Sequence, residues 1–481
     1  MTGETAPALP LRTKLAFGVG ASAEAAVGIG FSAFNMLFYN NVLGLPAKWV
    51  GLAVGLALLF DAISDPLIGS LSDRVRSKWG RRHPFLFASA LPLGASFVAI
   101  YAPPEGLGHR DLFLWLFGWT VAMRQSLTLY FVPHLALGAE LSTDYIERSR
   151  VMSHNALFGV FGGAGIYLAA WQWFGSQPGG AREAANFLPM AIAGGTFAST
   201  IILVSAWFTR DRIPYMAEPT VRPTFGIAQF FRELRECLAN RNYRVLLIGL
   251  VFLSAAVGIR EAVNAYMGIF FWEFPEADIS YFGMASPPAY LLAFALVARL
   301  HRVIDKRGAL ILGIVILCAA AIVPVGLRLW GTFPENGDPW VWRLIMLSVL
   351  VFYLGAAVLS ITVMSALADV ADDHEWHTGH RQEGVLYAAR TFFGKATQGL
   401  GYGISGFALD AIGFVPDSVP GQIDPDVIYR MGLLDGPIAV TPAIIALFFY
   451  GAYRIDRKHL RTVQADLARR LDAGHPAAGE T

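Results

Sequence analysis

The sequence predicts an all-α membrane protein whose twelve transmembrane helices form two six-helix bundles. Three observations predict it. Of 481 residues, 55% are hydrophobic and only 15% charged, with a mean hydropathy of +0.49, against about 45–50% apolar and 25% charged in soluble domains. Apolar runs of about 20 residues, the length that crosses a bilayer core, recur twelve times. The two halves also echo each other, as they do in transporters built from internal repeats.

In chain order the first six spans read as 14–39, 50–71, 85–101, 112–137, 151–173 and 187–208. The second six read as 245–272, 281–300, 310–330, 342–367, 385–414 and 438–453. Between them lies a polar link, 209–244, with seven arginines and Pro214, Pro219 and Pro223. The expected organisation is therefore an N-terminal bundle (1–208), a linker (209–244), a C-terminal bundle (245–455) and a tail (456–481). The first ten residues are polar without a small-residue cleavage pattern, so the first apolar run reads as a retained span.

Positive charge sets the expected orientation. Arg74, Arg76, Lys78, Arg81 and Arg82 follow span two, Arg148 and Arg150 follow span four, Arg302, Lys306 and Arg307 follow span eight, and Arg454, Arg457, Lys458 and Arg461 follow span twelve. The alternate loops carry little positive charge, which puts both termini in the cytoplasm and the protein in a plasma membrane, the bacterial inner membrane. The echo is local as well as global: Asp73-Arg74 and Gly80-Arg81-Arg82 follow span two, while Asp305-Lys306-Arg307-Gly308 follows span eight. Spans five and eleven are both rich in glycine, which lets helices approach closely. Two six-helix bundles with matching loops fit the major facilitator fold, with a central cavity. A net charge of +1 offers nothing to nucleic acid, and Cys237 and Cys318 are too few for a disulfide framework or thiolate metal site.

Within span two, Asp61 and Asp65 interrupt an apolar run. A charge at the bilayer centre costs about 2.5–3.5 kcal/mol on the gentler scales, so two of them need a reason. Their four-residue spacing places both on one helix face, where they can share a cavity. Several oxygens around a hard cation such as Na⁺, or one proton shared by two close carboxylates, would each supply that reason.

The run Asp61-x3-Asp65-Pro66-x2-Gly69-x3-Asp73-x6-Gly80-Arg81-x2-Pro84 is similar to the signature of the glycoside-pentoside-hexuronide:cation symporters, the melibiose-carrier-like branch of the major facilitators. A distant block agrees. Leu367-Ala-Asp369-Val-Ala-Asp-Asp-His-Glu375-Trp376, Glu383-Gly384, Arg390-Thr391-Phe392-Phe393-Gly-Lys395 and Leu409-Asp-Ala-Ile-Gly413-Phe-Val-Pro416 resemble that family's span ten, following loop and span eleven. Tyr39-Asn-Asn-Val-Leu-Gly44-Leu resembles the end of its first helix. The resemblance implies a secondary active transporter, not an enzyme, that moves a small organic solute with a coupling cation, Na⁺ or H⁺, by alternating access. It implies that Asp61 and Asp65 bind the cation, that Thr128 matches a polar cation-site position, and that Lys395 lies beside that site.

The chain also departs from the family. Phe131 stands where sodium-using sugar carriers have a third aspartate, and Ala25, Leu135 and Ala156 stand where galactoside carriers have an acid, a tryptophan and an arginine. In their place the interior carries Glu24, Arg124, Gln125, Arg260, Glu261 and Gln398, which with Lys395 are the candidate cavity residues. Arg124 lies about as deep as Asp61 and is expected to pair with it in at least one state, as a tethered cation. The alternative is that Arg124 and Arg260 pair with Glu24 or Glu261 to hold helices together. Carbohydrates or glycosides are the expected cargo. An amphipathic solute such as a lysolipid is the alternative, compatible with Phe31, Phe34, Phe38 and Tyr39 of span one, and an uncoupled facilitator is a third reading.

Loop charges have a mechanical reading. Asp73 with Arg74 and Arg81, and Asp369, Asp372 and Asp373 with Arg381 and Arg390, are expected to form the ion pairs that open and close the bundles. His374, His377 and His380 lack the spacing of a helical zinc site, so no metal beyond Na⁺ is expected. A membrane-embedded enzyme is set aside because the chain has two echoing halves. The expected working form is a monomer.

Overall fold

The computed structural model describes residues 9–142, 144–215, 227–380 and 382–472. Helices account for nearly every element, as they must where a bilayer offers no water to backbone N–H and C=O groups. The first half runs α1 (Leu11–Met36), α2 (Ala47–Arg74), α3 (His83–Ile100), α4 (His109–Glu140), α5 (Tyr145–Ser176) and α6 (Phe187–Thr209). A linker helix, α7 (Ile227–Cys237), precedes α8 (Arg241–Tyr266), the short α9 (Glu276–Ile279), α10 (Ser286–Leu329), α11 (Pro339–Thr378) and α12 (Glu383–Ala411). The chain ends with α13 (Pro425–Leu433), α14 (Ala439–Gly451) and α15 (Arg457–Asp472).

Among the described residues, nine helical stretches are long and apolar enough to cross a membrane, and they are consistent with twelve passes. The stretch containing α10 holds two passes. At about 1.5 Å per residue its 44-residue helix is over twice the bilayer core, and Asp305 breaks it with a left-handed φ of 58°. The other two passes are α4 and α12, whose apolar character is diluted by Arg124 and Gln125 in one and by Arg390 and Lys395 in the other. The final pass starts earlier than its apolar run suggests. It begins at Pro425 and passes through a wide π turn, Leu434–Ile438, before α14. Matching π turns end α1 (Leu37–Val42) and α8 (Met267–Phe271), so the repeat extends to local helix geometry.

By compactness the chain divides into two units, and each is described by itself. The first comprises Met1–Thr224, Glu261–Met284 and Tyr402–Ile428. In it α1 packs on α5 and α6, α2 on α4, and α3 on α4 and α6. Phe34 lies 4.8 Å from both Trp171 and Phe174, and Phe38 stacks toward Phe187 at 4.5 Å. The span-one aromatics are thus packed in the core: Phe31, Phe34, Phe38 and Tyr39 are all buried. At the end away from the arginine-rich loops, Asp410 caps α2 by accepting the N–H groups of Ala47 and Lys48 at 2.8 and 3.2 Å. There the Tyr266 hydroxyl also reaches Asn40 Oδ1 at 2.8 Å.

The second unit comprises Phe225–Arg260, Ala285–Gly401 and Tyr429–Thr481. Its core joins Leu310, Ile314, Leu359, Leu367 and Tyr450, with α10 packed on α11 and α14. Helix α15 is polar overall but docks on α11 with Val463 fully buried.

Candidate cation and solute site

Asp61 and Asp65 face the same way from α2, as their spacing requires, and α4 brings Thr128 to them. The Thr128 hydroxyl lies 2.5 Å from Asp61 Oδ1 and 2.9 Å from Asp65 Oδ1. All three residues are buried, Asp61 and Thr128 to within 1%. A threonine has one hydrogen to donate. Facing two carboxylates it either shares that hydrogen or accepts from an acid that is itself protonated. Pro66 follows directly and removes the N–H that would have bonded back into α2, loosening the helix at the acidic pair.

One turn from Thr128, Arg124 places Nη1 3.7 Å from Asp61 Oδ2 and its guanidinium 5.6 Å from the centre of the Phe31 ring. This is ion-pair range, beyond a direct hydrogen bond. Arg124 Nε and Gln125 Nε2 are buried with no hydrogen-bond partner among the described residues. Polar atoms left so in an apolar core are costly. Glu24 is half-buried on α1, and the Glu261 carboxylate accepts from the Tyr402 hydroxyl at 3.2 Å.

In the second unit, Arg260 is held by a residue outside the expected set. It grips Asp435 with two hydrogen bonds of 3.1 and 3.2 Å and lies 4.8 Å over Phe352. Asp435 is 3% exposed. The early start of the last pass puts this carboxylate inside the membrane, and a lone acid bordering that apolar run was the available signal. Lys395 and Gln398 are half-buried on α12, which approaches α8 closely enough that a Cβ on Gly258 would sit 2.2 Å from the Gln398 carbonyl oxygen.

A family model described as MFS/sugar transport protein matches residues 16–457. The chain belongs to that family. It is a multi-pass membrane transporter, and the resemblance to the cation symporters read from the α2 and α12 motifs holds. It is 21% identical to the isoprimeverose transporter of Lactiplantibacillus pentosus, over 90% of this chain and 87% of that one. It is 22% identical to the putative glycoside/cation symporter YagG of Escherichia coli, over 85% of each. A bacterial homologue of the lysosomal transporter Spinster, solved inward-facing and unoccupied, shares the fold with a TM-score of 0.67 at 15% identity, over 95% of this chain and 98% of that one.

The loop pairs of this MFS transporter differ from those expected. Asp73 pairs with Arg82 rather than with Arg74 or Arg81, and Arg82 also bonds Glu140 at 2.8 Å. Arg81 reaches the same Glu140 at 2.9 Å, so these charges tie α2 and α4 to the start of α3. The left-handed turn at Gly80 (φ +72°) swings Arg82 back over α2, whereas Arg74, on the last turn of α2, is exposed. Asp369 pairs with Lys306 at 2.6 Å rather than with Arg390. Arg390 makes no ion pair among the described residues, and its Nε is buried without a hydrogen-bond partner. Asp373 is held by Asn240 and His459 rather than by an arginine. Arg381 lies outside the described residues.

Proposed function

We propose that this transporter is a symporter that carries a small polar solute, a glycoside or related carbohydrate, together with one monovalent cation bound at Asp61, Asp65 and Thr128. The observation that carries the reading is the single hydroxyl held between two buried carboxylates. Such a cluster binds a cation by supplying oxygens and negative charge in a medium that otherwise excludes both. Arg124 lies on the same cluster and competes with the cation for Asp61, so loading the site frees a guanidinium for the solute's hydroxyl groups. Gln125, Glu24 and Glu261 are the solute contacts we assign in the first unit, and Lys395, Gln398 and Arg260 those we assign in the second. The working frame is two six-helix bundles, 1–208 and 245–455, joined by 209–244, with both termini in the cytoplasm of a bacterial cell. The working form is a monomer.

The test is thermal unfolding of the purified protein over a Na⁺ titration with choline as control, repeated against pH. A cation that binds only the folded state at about 100 times its Kd stabilises by roughly 2.7 kcal/mol. The expected result is a rise specific to Na⁺, or to protons, that Thr128→Val and Asp61→Asn each abolish while both variants stay folded. A rise that survives both substitutions overturns the assignment.

A further inference from the structure

The last turns of α11 hold a second buried carboxylate, on the face that carries the arginine-rich loops. Asp373 is 3% exposed, and its contacts come from three segments. Asn240, between α7 and α8, donates from Nδ2 at 2.8 Å. His459 of α15 places Nε2 2.8 Å from Oδ1. His377, one turn along α11, places Nδ1 3.6 Å from the same oxygen. A pocket of about 500 Å³ opens beside them.

A carboxylate this buried needs a compensating charge. Asn240 supplies a hydrogen bond and no charge, which leaves the two histidines, side chains that change charge between about pH 5 and 8. Other charged and titratable groups surround the cluster, and His374 lines the same pocket. Arg241 and Arg454 line the pocket from the start of α8 and the end of α14. Glu236 of α7 accepts from the Gln382 amide at 3.1 Å, and His374 shares that glutamine at 3.1 Å from its other end. One turn back, Asp369 is neutralised by Lys306. Tyr453 lies beside it, its hydroxyl 3.5 Å from Asp369 Oδ2. The rest of the α15 seat is weak: Gln464 donates to Asp372 at 3.1 Å and Arg470 to the Trp376 carbonyl at 3.1 Å, around the buried Val463.

We propose that Asp373, His377 and His459 form a proton-binding latch, in which charged histidine holds α15 and the α7–α8 junction on α11, and loss of that proton releases the helix. The sign follows from the geometry. Protonation pairs a cation with the buried carboxylate, so docking is tightest below neutrality and weakens as pH rises. The latch links the α7–α8 junction, α11 and α15, and it depends neither on the solute nor on the ion bound at Asp61.

The experiment uses detergent-purified full-length protein with nitroxide labels at Ala468→Cys on α15 and Val303→Cys on α10, both exposed positions. The native Cys237 and Cys318 are buried, and burial raises the Cys237 thiol to about 12, so neither competes for label. Electron-resonance distances are measured from pH 5.5 to 8.5. The expected result is one narrow population at pH 5.5, with the docked-to-released ratio falling by up to about tenfold per pH unit, the limit for one proton. His459→Gln keeps a donor and removes the titrating group that α15 itself contributes, so its distribution should lose most of its change with pH; Asp373→Asn should behave the same way. A wild-type distribution independent of pH overturns the proposal, as does a full pH response surviving in His459→Gln.

Discussion

Gly406 of α12 sits against the N-terminus of α2 with no room for a side chain. A Cβ there would lie 2.3 Å from the Ala47 carbonyl oxygen, 2.9 Å from its carbon and 3.1 Å from Gly51 Cα, where ordinary contact begins near 3.4 Å. All three obstacles are backbone, so no rotamer relieves them. In Gly406→Ala the two helices must part by about an ångström, which stretches the Asp410 bonds to Ala47 and Lys48, now 2.8 and 3.2 Å, past hydrogen-bond range. Overpacking of this kind costs about 1–3 kcal/mol. A central value of about 2 kcal/mol shifts the closed-to-open ratio at this contact about 30-fold toward open. Leu45 is fully buried beside the contact, so Leu45→Cys reports opening by its rate of alkylation with a membrane-impermeant maleimide, expected to rise about 30-fold in the Gly406→Ala background. Gly403 provides the control, because a Cβ there meets nothing within 4 Å. Equal alkylation rates in Gly406→Ala and the parent would refute the reasoning, as would a similar acceleration from Gly403→Ala.

Two further outcomes follow from buried polar contacts. Removing one member of the Arg260–Asp435 pair strands a charge in the membrane, so Arg260→Gln or Asp435→Asn alone should cost about 3–5 kcal/mol; the double variant should recover most of the lost unfolding midpoint, and additive losses would count against the pairing. Gly20 is hemmed in by a buried polar cluster, its notional Cβ 2.3 Å from Tyr130 Oη and 2.6 Å from His134 Cε1. Gly20→Ala should therefore destabilise by about 1–3 kcal/mol, whereas Gly28→Ala, with open space at the same helix, should leave the midpoint unchanged.

What could be read directly from the chain was whatever depends on local composition and spacing. Apolar length marks a span wherever the bilayer dictates it, and a four-residue interval brings Asp61 and Asp65 to one face in any α-helix. Arg124 could be placed near them because depth along a span follows from counting residues, and Thr128 because the family resemblance puts it at a cation-site position; the structure brings both to Asp61. The motif at α2 and α12 pointed to the family for the same reason: it is a pattern of spacings.

Partner choice among charges was another matter. Asp73 had Arg74 beside it in sequence, yet the turn at Gly80 delivers Arg82 instead, because an ion pair is decided by where side chains meet and not by how far apart they lie along the chain. Asp435 was hidden by a span boundary. The hydropathy of 438–453 ends where a π turn carries the helix on, and only that continuation brings the acid to Arg260. The docking of α15 was equally invisible, since a polar helix with one buried valine has no periodic signal strong enough to name its seat. Sequence by itself determined that the chain crosses the membrane repeatedly and which two acids share a face; tertiary structure alone decided which opposite charge Asp73, Asp369 and Asp435 meet, because contacts between helices depend on turns and crossings that no local interval encodes.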